Sequence, residues 1–224
     1  MKNVDAISYV PVAGKAHIAT INLLKGSSLY GEKLISRNGN EYRMWDPFRS
    51  KLAAALINGL DFYFSDVKNI LYLGASTGTT VSHLSDIIGY SGKIFAVESS
   101  TRVARELISN VSSMRTNVIP IIEDARKPRS YFSIFDKMDL VYCDIAQPDQ
   151  TDIAIDNCKI YLKEGRQMLL VIKTRSIDVT KSPKNVIANE IKKIASHSFE
   201  LIQRVDLAPF DKDHAMIKAI YRQE

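Results

Sequence analysis

The stretch that decides the fold is LYLGASTGTT, residues 71–80. It begins as an apolar run, turns at Gly74 and Gly78, and continues into a segment with helical spacing. A glycine-bearing turn between a strand and a helix lets a ligand approach the backbone closely, and the N-terminus of the helix is available to polar groups of that ligand. This stretch therefore predicts a ligand-binding turn at the start of an α/β sheet.

The chain that follows this turn alternates between apolar strands and helices. Apolar runs predict five strands, at residues 70–73, 94–97, 118–122, 140–142 and 168–172. Helical patterns between most of them predict helices at residues 80–88, 101–110 and 149–162. Nearly continuous apolar strands separated by helices are typical of a parallel sheet that is covered on both faces.

The last part of the chain predicts a different strand pairing. A helix is expected over residues 183–196, and strands over residues 199–207 and 215–222 follow it with no helix between them. Because so short a connection cannot hold a parallel crossover, these two strands must form an antiparallel hairpin. The predicted fold class is α/β, with a doubly wound, mostly parallel sheet that ends in an antiparallel hairpin.

The N-terminal part predicts short strands joined by turns, with candidates at residues 17–24 and 29–36. Asn38-Gly39 is the favoured two-residue hairpin signal and lies between two strand-like runs. Asp46 and Pro47 predict the N-cap and first position of a helix that ends near residue 60. We therefore divide the chain into a small β-rich domain, residues 1–50, and an α/β domain, residues 51–224.

The composition excludes several classes of protein. Thirty basic against 25 acidic residues give a net charge of +5 over 224 residues, which favours polyanionic partners without proving one. The longest apolar run, residues 52–57, is far shorter than the ~20 residues that span a bilayer. Cys143 and Cys158 form no disulfide or zinc pattern, and the histidines other than His214 show no metal-ligand spacing. We expect a cytoplasmic protein with reduced thiols, no bound metal and no membrane partner.

Charged residues follow the ends of four predicted strands. Glu98 ends the second strand, Asp124 follows the third, Asp144 the fourth and Lys173 the fifth. Ligands of open α/β sheets bind outside the carboxyl ends of the strands, so these residues should converge on one crevice. A single acid at such a place could serve only to cap a helix, but four charged residues at one edge indicate a binding or catalytic site.

Two rival interpretations share the glycine turn. A nicotinamide cofactor requires G-x-G-x-x-G, and the spacing of Gly74 and Gly78 disfavours it. The same residues spell the G-x-S-x-G nucleophile elbow of a hydrolase around Ser76, with Asp144 and His214 following in hydrolase order. Against the hydrolase, this turn follows the first strand of its sheet, whereas an elbow normally comes late, and no HGGG-type segment precedes it.

Seven segments resemble the fibrillarin family, and its archaeal members most closely. They are WDPFRSKLAAA (45–55), LGASTGTTVSHLSDIIG (73–89), FAVESSTRVAREL (95–107), IIEDARKP (121–128), YCDIAQPDQ (142–150), VIKTRSID (171–178) and DHAMIKAIYR (213–222). The glycine/arginine-rich arm of eukaryotic fibrillarins is missing. The resemblance implies a class I, Rossmann-like methyltransferase fold that binds S-adenosylmethionine and methylates the ribose 2′-hydroxyl of ribosomal RNA, or of tRNA.

The resemblance also implies the cofactor-binding residues. Matched by motif, Thr79 and Thr80 lie at the methionine end, Glu98 at the ribose and Asp124 at the adenine. In chain order the implied residues are Gly74, Ala75, Thr79, Thr80, Glu98, Ser99, Asp124, Ala125, Asp144, Ile145, Ala146 and Gln147. The segment that starts at Asp144 lies near the sulfonium. The sequence departs from the family at Ser99, where an aromatic residue is common, and at Thr174, where alanine is common.

The family's catalytic Lys–Asp–Lys–His group maps onto Lys51, Asp144, Lys173 and His214. Methyl transfer to a poorly acidic alcohol requires alignment of the reacting atoms and a group that accepts or offsets the hydroxyl proton. Our hypothesis makes Lys173 the base or the electrostatic stabiliser. The positive charge of Lys51 beside it would favour the neutral form of Lys173 that a base requires, and Lys51 would also hold the target phosphate. Asp144 orients Lys173, and His214 fixes the lysine geometry or relays the proton.

The resemblance implies partners as well. Box C/D guide RNA pairs with the target RNA, a coiled-coil scaffold protein carries the enzyme, and a kink-turn-binding protein anchors the complex. The sequence contains no RRM, KH or zinc-knuckle signature that could read bases. Basic residues suited to phosphate contacts recur near the predicted crevice: Arg49, Lys51, Arg126, Lys127, Arg129, Arg175, Lys181 and Lys184. A methyltransferase-like subunit that binds without catalysis stays an alternative.

Overall fold

The computed structural model describes residues 7–134 and 137–222, and its N-terminal part is a four-stranded antiparallel sheet. The strands β1 (Ile7–Val12), β2 (Lys15–Ile21), β3 (Leu34–Arg37) and β4 (Asn40–Met44) lie in the order β1-β2-β4-β3. Asn38 and Gly39 both have positive φ angles, 51° and 78°, which confirms the predicted two-residue hairpin. Strand β1 was not predicted.

The predicted strand over residues 29–36 is wrong in its first half. The carboxylate of Glu32 accepts hydrogen bonds from the backbone N–H groups of Leu29 and Tyr30, at 3.0 and 2.8 Å. These bonds hold the segment in a local turn, so β3 begins only at Leu34.

The start of the first helix also differs from the prediction. Asp46 accepts a hydrogen bond from the backbone of Phe48 and closes a short turn over residues 47–49. Ser50 is the actual N-cap, since its side chain accepts from the backbone N–H of Ala53, and α1 runs over Lys51–Ile57. The competing Asx turn at Asp46 therefore delays the helix and makes Lys51 its first residue.

The rest of the chain forms a seven-stranded sheet in the order β10-β11-β9-β8-β5-β6-β7. Five strands pair in parallel: β5 (Asn69–Leu73), β6 (Lys93–Val97), β7 (Val118–Ile121), β8 (Met138–Cys143) and β9 (Leu162–Lys173). The antiparallel hairpin of β10 (Phe199–Asp206) and β11 (His214–Tyr221) completes the sheet. The predicted fold class is confirmed, and the division at residue 50 stays a prediction.

Helices cover both faces of this sheet, and each face has its own apolar core. They are α2 (Thr79–Ile88), α3 (Thr101–Leu107) with a π-helical turn (Ile108–Ser112), a 3₁₀ segment (Pro128–Ile134), α4 (Gln150–Tyr161), α5 (Thr174–Ile177) and α6 (Pro183–Ala195). Along β5, Ile70 and Tyr72 enter one core while Leu71 and Leu73 enter the other. Trp45 is buried in the first core. Within the described ranges, every helix is too short or too polar to cross a bilayer.

Candidate functional site

The carboxyl ends of the parallel strands border a crevice of about 270 Å³ at the point where the strand order reverses. The structure brings most of the predicted residues into its lining, namely Gly74, Glu98, Ser99, Asp124, Ala125, Asp144, Ile145, Ala146, Gln147 and Lys173. The lining also includes Ser76, Val97, Glu123, Arg126 and Ile153, which sequence reasoning did not assign to the nucleoside site. The predicted convergence of the strand-end charges is therefore confirmed.

Two glycines shape the turn after β5. A Cβ at Gly74, whose φ is +81°, would lie 2.7 Å from the carbonyl oxygen of Asp144. A Cβ at Gly78, whose φ is +96°, would lie 2.5 Å from a methyl group of Val111. Gly74 thus lets the turn approach the segment that carries Asp144, and Gly78 lets the start of α2 pack closely against α3 and the π-helical turn that follows it.

Three predicted residues of the turn region lie outside the crevice lining, namely Ala75, Thr79 and Thr80. Thr79 and Thr80 are the first residues of α2. The hydroxyl of Thr80 lies 2.9 Å from that of Ser50, the N-cap of α1. This hydrogen bond ties the start of the helix carrying Lys51 to the start of α2. Ala75 is buried beneath the turn.

Glu98 and Asp124 present their carboxylates in fixed orientations. Glu98 accepts from the backbone N–H of Ser76 at 3.0 Å with one oxygen and from that of Ser100 at 2.9 Å with the other. Asp124 accepts from the backbone N–H of Arg126 at 3.0 Å. Each carboxylate oxygen keeps a further acceptor position, so Glu98 can bind a pair of ribose hydroxyls.

Arg126 crosses the end of the crevice next to Asp124. Its guanidinium donates to Asp149 at 2.9 Å and to Gln147 at 2.6 Å, and so joins the segment after β7 to the segment after β8. The hydrogen bond from Arg126 to Asp149 lowers the pKa of the Asp149 carboxyl below its usual value. Arg126 was expected to contact phosphate, whereas the structure pairs it with Asp149 and Gln147 of the same chain.

The opposite end of the crevice contains a row of alternating charges. One oxygen of Asp144 lies 2.7 Å from Lys173 Nζ, and the other lies 3.3 Å from Lys51 Nζ. Lys173 also donates to the carbonyl oxygen of Asp144 at 2.9 Å. The side chains are 13% exposed for Asp144 and Lys173 and 24% exposed for Lys51. Asp144 and Lys173 line the crevice, and Lys51 lies beside them.

His214 lies at the same edge because β11 runs antiparallel and begins where β9 ends. His214 and Lys173 are partners in the register of the two strands. The imidazole Nδ1 lies 2.7 Å from Asp211, whose other oxygen lies 3.8 Å from Lys51 Nζ. Four residues predicted from separate parts of the sequence therefore form one cluster, and Asp211 is a member that sequence reasoning missed.

Gln150 is a second residue that sequence reasoning missed. Its side chain is buried, accepts from the backbone N–H of Lys173 at 3.0 Å and donates to the carbonyl oxygen of Gln147 at 2.8 Å. It therefore joins the end of β9 to the segment after β8. The only sequence signal was its place at the end of the motif YCDIAQPDQ.

The geometry disfavours the hydrolase interpretation. Ser76 follows β5 and His214 begins β11, and β8 and β9 lie between these two strands. Strands about 4.8 Å apart place three spacings, about 14 Å, between them, which is too far for a nucleophile–base hydrogen bond. His214 instead contacts Asp211 and the carbonyl oxygen of Lys212.

Several of the basic residues proposed for phosphate contacts pair with acids of the same chain. Arg175 lies 3.1 Å from Asp213, and Lys181 lies 2.9 Å from Asp178. Lys127 and Arg129 are exposed near the Asp124 end of the crevice. Among the residues that the structure describes, His, Cys, Asp and Glu side chains form no group of three that could hold a metal ion.

A nucleoside crevice at the strand-order reversal, completed by an antiparallel hairpin, defines the fold of the class I methyltransferases. A family model described as fibrillarin matches residues 2–223. The fibrillarin-like rRNA/tRNA 2′-O-methyltransferase of Saccharolobus islandicus is 50% identical over 210 residues, which are 93% of this chain and 90% of that protein. This chain belongs to the fibrillarin family.

Solved structures of the family superpose over nearly the whole chain. The Methanococcus jannaschii fibrillarin pre-rRNA processing protein has a TM-score of 0.91 at 40% identity, covering 99% of this chain and 100% of that one. Aeropyrum pernix fibrillarin, in complex with natively bound S-adenosyl-L-methionine, has a TM-score of 0.87 at 43% identity, covering 98% and 100%. A fibrillarin/Nop5p complex has a TM-score of 0.87 at 38% identity, covering 98% of each chain.

Proposed function

We propose that this chain transfers a methyl group from S-adenosylmethionine to the ribose 2′-hydroxyl of ribosomal RNA or tRNA. We further propose that it does so as the catalytic subunit of a ribonucleoprotein directed by box C/D guide RNA. The observation that carries the proposal is the Lys51–Asp144–Lys173 cluster at the end of a crevice lined by nucleoside-binding carboxylates. The relative bearing the 2′-O-methyltransferase name and the fibrillarin with bound S-adenosyl-L-methionine support it.

The residues of the crevice fit the methyl donor, which supplies a methyl group on a positively charged sulfur when it is bound. Glu98 would hold its ribose hydroxyls, and Asp124 would accept from its adenine. The segment from Asp144 to Gln147 lines the same crevice. Because backbone N–H groups already orient Glu98, the carboxylate loses little freedom when it binds.

At the catalytic end, Lys173 would lie beside the 2′-oxygen. As an ammonium paired with Asp144, it would stabilise the negative charge that develops there. Asp144 holds Lys173 through its side chain and its backbone carbonyl, so the lysine is positioned before the RNA arrives. Lys51, held by the other oxygen of Asp144, would contact a phosphate of the target strand.

Selection of the nucleotide would come from partners. The fibrillarin/Nop5p complex supports a scaffold protein that carries the enzyme, and we expect guide RNA and a kink-turn-binding protein in the same assembly. Exposed Arg49, Lys127 and Arg129 would add phosphate contacts that carry no sequence information. We also propose a cytoplasmic location, and the buried, unpaired Cys143 and Cys158 fit a reducing compartment.

The first experiment is a calorimetric titration of the isolated protein with S-adenosylmethionine. We expect binding that Glu98→Gln and Glu98→Ala weaken at least tenfold, about 1.4 kcal/mol, because a charged acceptor of hydroxyl groups is lost. The exposed Glu106 offers a matched control, and Glu106→Ala should bind as the wild type does. NAD should not bind. Unchanged affinity in both Glu98 variants would contradict the assigned cofactor site.

The second experiment is site-specific methylation by the complex assembled with scaffold protein, kink-turn-binding protein and guide RNA. Lys173→Ala should lower the rate at least a hundredfold, while Lys192→Ala, at an exposed position on α6, should leave it unchanged. A Lys173→Ala rate within tenfold of the wild type would refute the role of this lysine. An assembled complex that binds the cofactor without methylating would support the non-catalytic alternative.

A further inference from the structure

Asp211 occupies the turn between β10 and β11 and contacts two members of the proposed catalytic cluster. Its Oδ1 lies 2.7 Å from His214 Nδ1, and its Oδ2 lies 3.8 Å from Lys51 Nζ. The turn that carries it is held by its own backbone, since Asp211 N–H donates to the carbonyl oxygen of Leu207 at 3.1 Å. Leu207 N–H in turn donates to the carbonyl oxygen of His214 at 3.0 Å. The carboxylate therefore has a defined place beside the imidazole.

The neighbours of His214 Nδ1 determine which imidazole nitrogen carries the proton. Besides Asp211, the carbonyl oxygen of Lys212 lies 2.8 Å from Nδ1. A carboxylate and a carbonyl oxygen can only accept a hydrogen bond, so Nδ1 must be the nitrogen that carries the hydrogen. In the neutral ring, Nε2 then keeps its lone pair and is the nitrogen that can accept a proton.

Asp211 also completes the charge balance around Lys51. The ammonium group of Lys51 lies between Asp144, at 3.3 Å, and Asp211, at 3.8 Å. The two lysines and two aspartates thus form a row of alternating charges that runs from Lys173 to His214. Removal of Asp211 would leave Lys51 with one carboxylate, and it would leave His214 Nδ1 with the Lys212 carbonyl oxygen but no neighbouring carboxylate.

We propose that Asp211 is a positioning residue that makes Nε2 of His214 the proton acceptor of the reaction; this rests on the proposed function. When the 2′-hydroxyl reacts, its O–H bond breaks, the electron pair stays on oxygen, and the proton passes to Nε2. The imidazolium that results is neutralised by Asp211 on the opposite nitrogen. Lys173 and Asp144 keep the orienting and charge-stabilising roles given above.

The test begins with the isolated protein, where ¹⁵N NMR of the imidazole nitrogens distinguishes the two tautomers. The chain has only four histidines, and the signals that disappear in His214→Gln belong to His214. We expect the Nδ1–H tautomer in the wild type and a larger Nε2–H population in Asp211→Ala, where the carbonyl oxygen of Lys212 remains but the charged acceptor beside Nδ1 is lost. Asp211→Glu should restore the wild-type tautomer. Asp213→Asn, two residues away at the ion pair with Arg175, should leave it unchanged.

The second readout is methylation by the assembled complex. Asp211→Ala should lower kcat at least tenfold, with S-adenosylmethionine affinity within twofold of the wild type, and Asp211→Glu should recover most of the loss. A wild-type tautomer in folded Asp211→Ala, or a kcat within twofold of the wild type, would overturn the proposal. If the wild-type complex itself is inactive, the proposed function fails, and the tautomer measurement separately decides whether Asp211 orients His214.

Discussion

Two aspartates of this molecule each lie between two basic side chains, and their surroundings differ. Asp86, on α2, contacts Arg43 at 2.8 Å with one oxygen and Arg115 at 2.6 Å with the other. Asp144, at the end of β8, contacts Lys173 and Lys51 in the same manner, at 2.7 and 3.3 Å. All three side chains around Asp86 are fully buried, whereas those around Asp144 are partly exposed at the crevice.

The buried Asp86 is paired with arginines, whereas the partly exposed Asp144 is paired with lysines. The guanidinium of Arg43 also contacts Glu32 at 2.6 Å and Ser82 at 3.0 Å, so its planar set of donors joins the small sheet to α2. An ammonium group is a compact charge on a flexible chain and keeps donors free for a ligand. One charge pattern therefore holds two parts of the fold together where it is buried, and it leaves ammonium groups available to a ligand where it reaches a crevice.

His83 belongs to the buried cluster and stays neutral there. Its Nδ1 lies 2.8 Å from the hydroxyl of Thr20, its Nε2 lies 2.6 Å from that of Tyr30, and Trp45 stacks on its ring. Burial, with the positive charges of Arg43 and Arg115, holds the pKa of His83 well below its usual value. His83 is therefore held in its neutral form, whereas we propose that His214 accepts a proton during the reaction.

The largest expected effect is the loss of stability in Asp86→Asn. Two buried guanidinium groups would lose their shared anion, which costs about 3–5 kcal/mol in the free energy of unfolding. Urea denaturation followed by circular dichroism measures it. The matched variant is Asp144→Asn, for which we expect about 1 kcal/mol or less because its lysines reach solvent. Equal losses in the two variants would contradict the comparison.

The next effect is the loss of activity in Asp144→Asn. We expect the methylation rate of the assembled complex to fall at least a hundredfold, about 2.7 kcal/mol in the activation free energy, because Lys173 and Lys51 lose their shared anchor. Single-turnover kinetics with saturating RNA measure the chemical step. A folded Asp144→Asn variant with near-normal rates would show that the cluster is structural.

A smaller effect is the pH dependence of stability that His83 produces. Because its pKa is lowered in the folded protein, only the unfolded chain gains this proton as the pH falls below about 6.5. The free energy of unfolding is therefore not reduced by His83 above that pH, and it falls by about 1 kcal/mol between pH 6.5 and 5.5. Urea denaturation of the wild type and of His83→Gln across this range measures the difference. An identical pH dependence in the two proteins would contradict the assignment.

The smallest effect is expected at an ion pair that is neither buried nor near the crevice. Arg222 and Glu200 lie 2.6 Å apart on the terminal hairpin, with both side chains about half exposed. Glu200→Gln should change the free energy of unfolding by less than about 0.5 kcal/mol and leave methylation unchanged. Thermal denaturation and the methylation assay provide the baseline for the other variants. If Glu200→Gln lowered the free energy of unfolding by more than about 1 kcal/mol, side-chain exposure would not explain why the ion pairs of Asp86 and Glu200 differ in their contribution to stability.

Much of the fold was predictable because local patterns agreed with the tertiary structure. Apolar runs such as that of β5 are buried on both faces, and the glycine turn after it has the positive φ angles that it needs. Predictions failed where side chains formed hydrogen bonds with the nearby backbone. Asp46 and Glu32 each made a turn in place of the expected helix start or strand.

The candidate site was predictable to the extent that its residues stand at strand ends. Glu98, Asp124, Asp144 and Lys173 follow parallel strands, whose carboxyl ends share one edge. Lys51 and His214 came from the family resemblance, since neither follows a parallel strand. Asp211 and Gln150 were missed because a residue in a turn, or in the first turn of a helix, has no periodic signal.

The sequence by itself determined the alternation of strands and helices after residue 69, the glycine turn and the charged residues at the strand ends. Period and composition suffice for these features because each depends on neighbours along the chain. Only the tertiary structure decided that the shared anion of Lys51 and Lys173 borders a crevice while that of Arg43 and Arg115 is buried. It also placed Asp211 between His214 and Lys51, a contact that joins residues more than 150 positions apart. Burial and long-range contact depend on how the sheets and helices pack, and no local pattern contains that information.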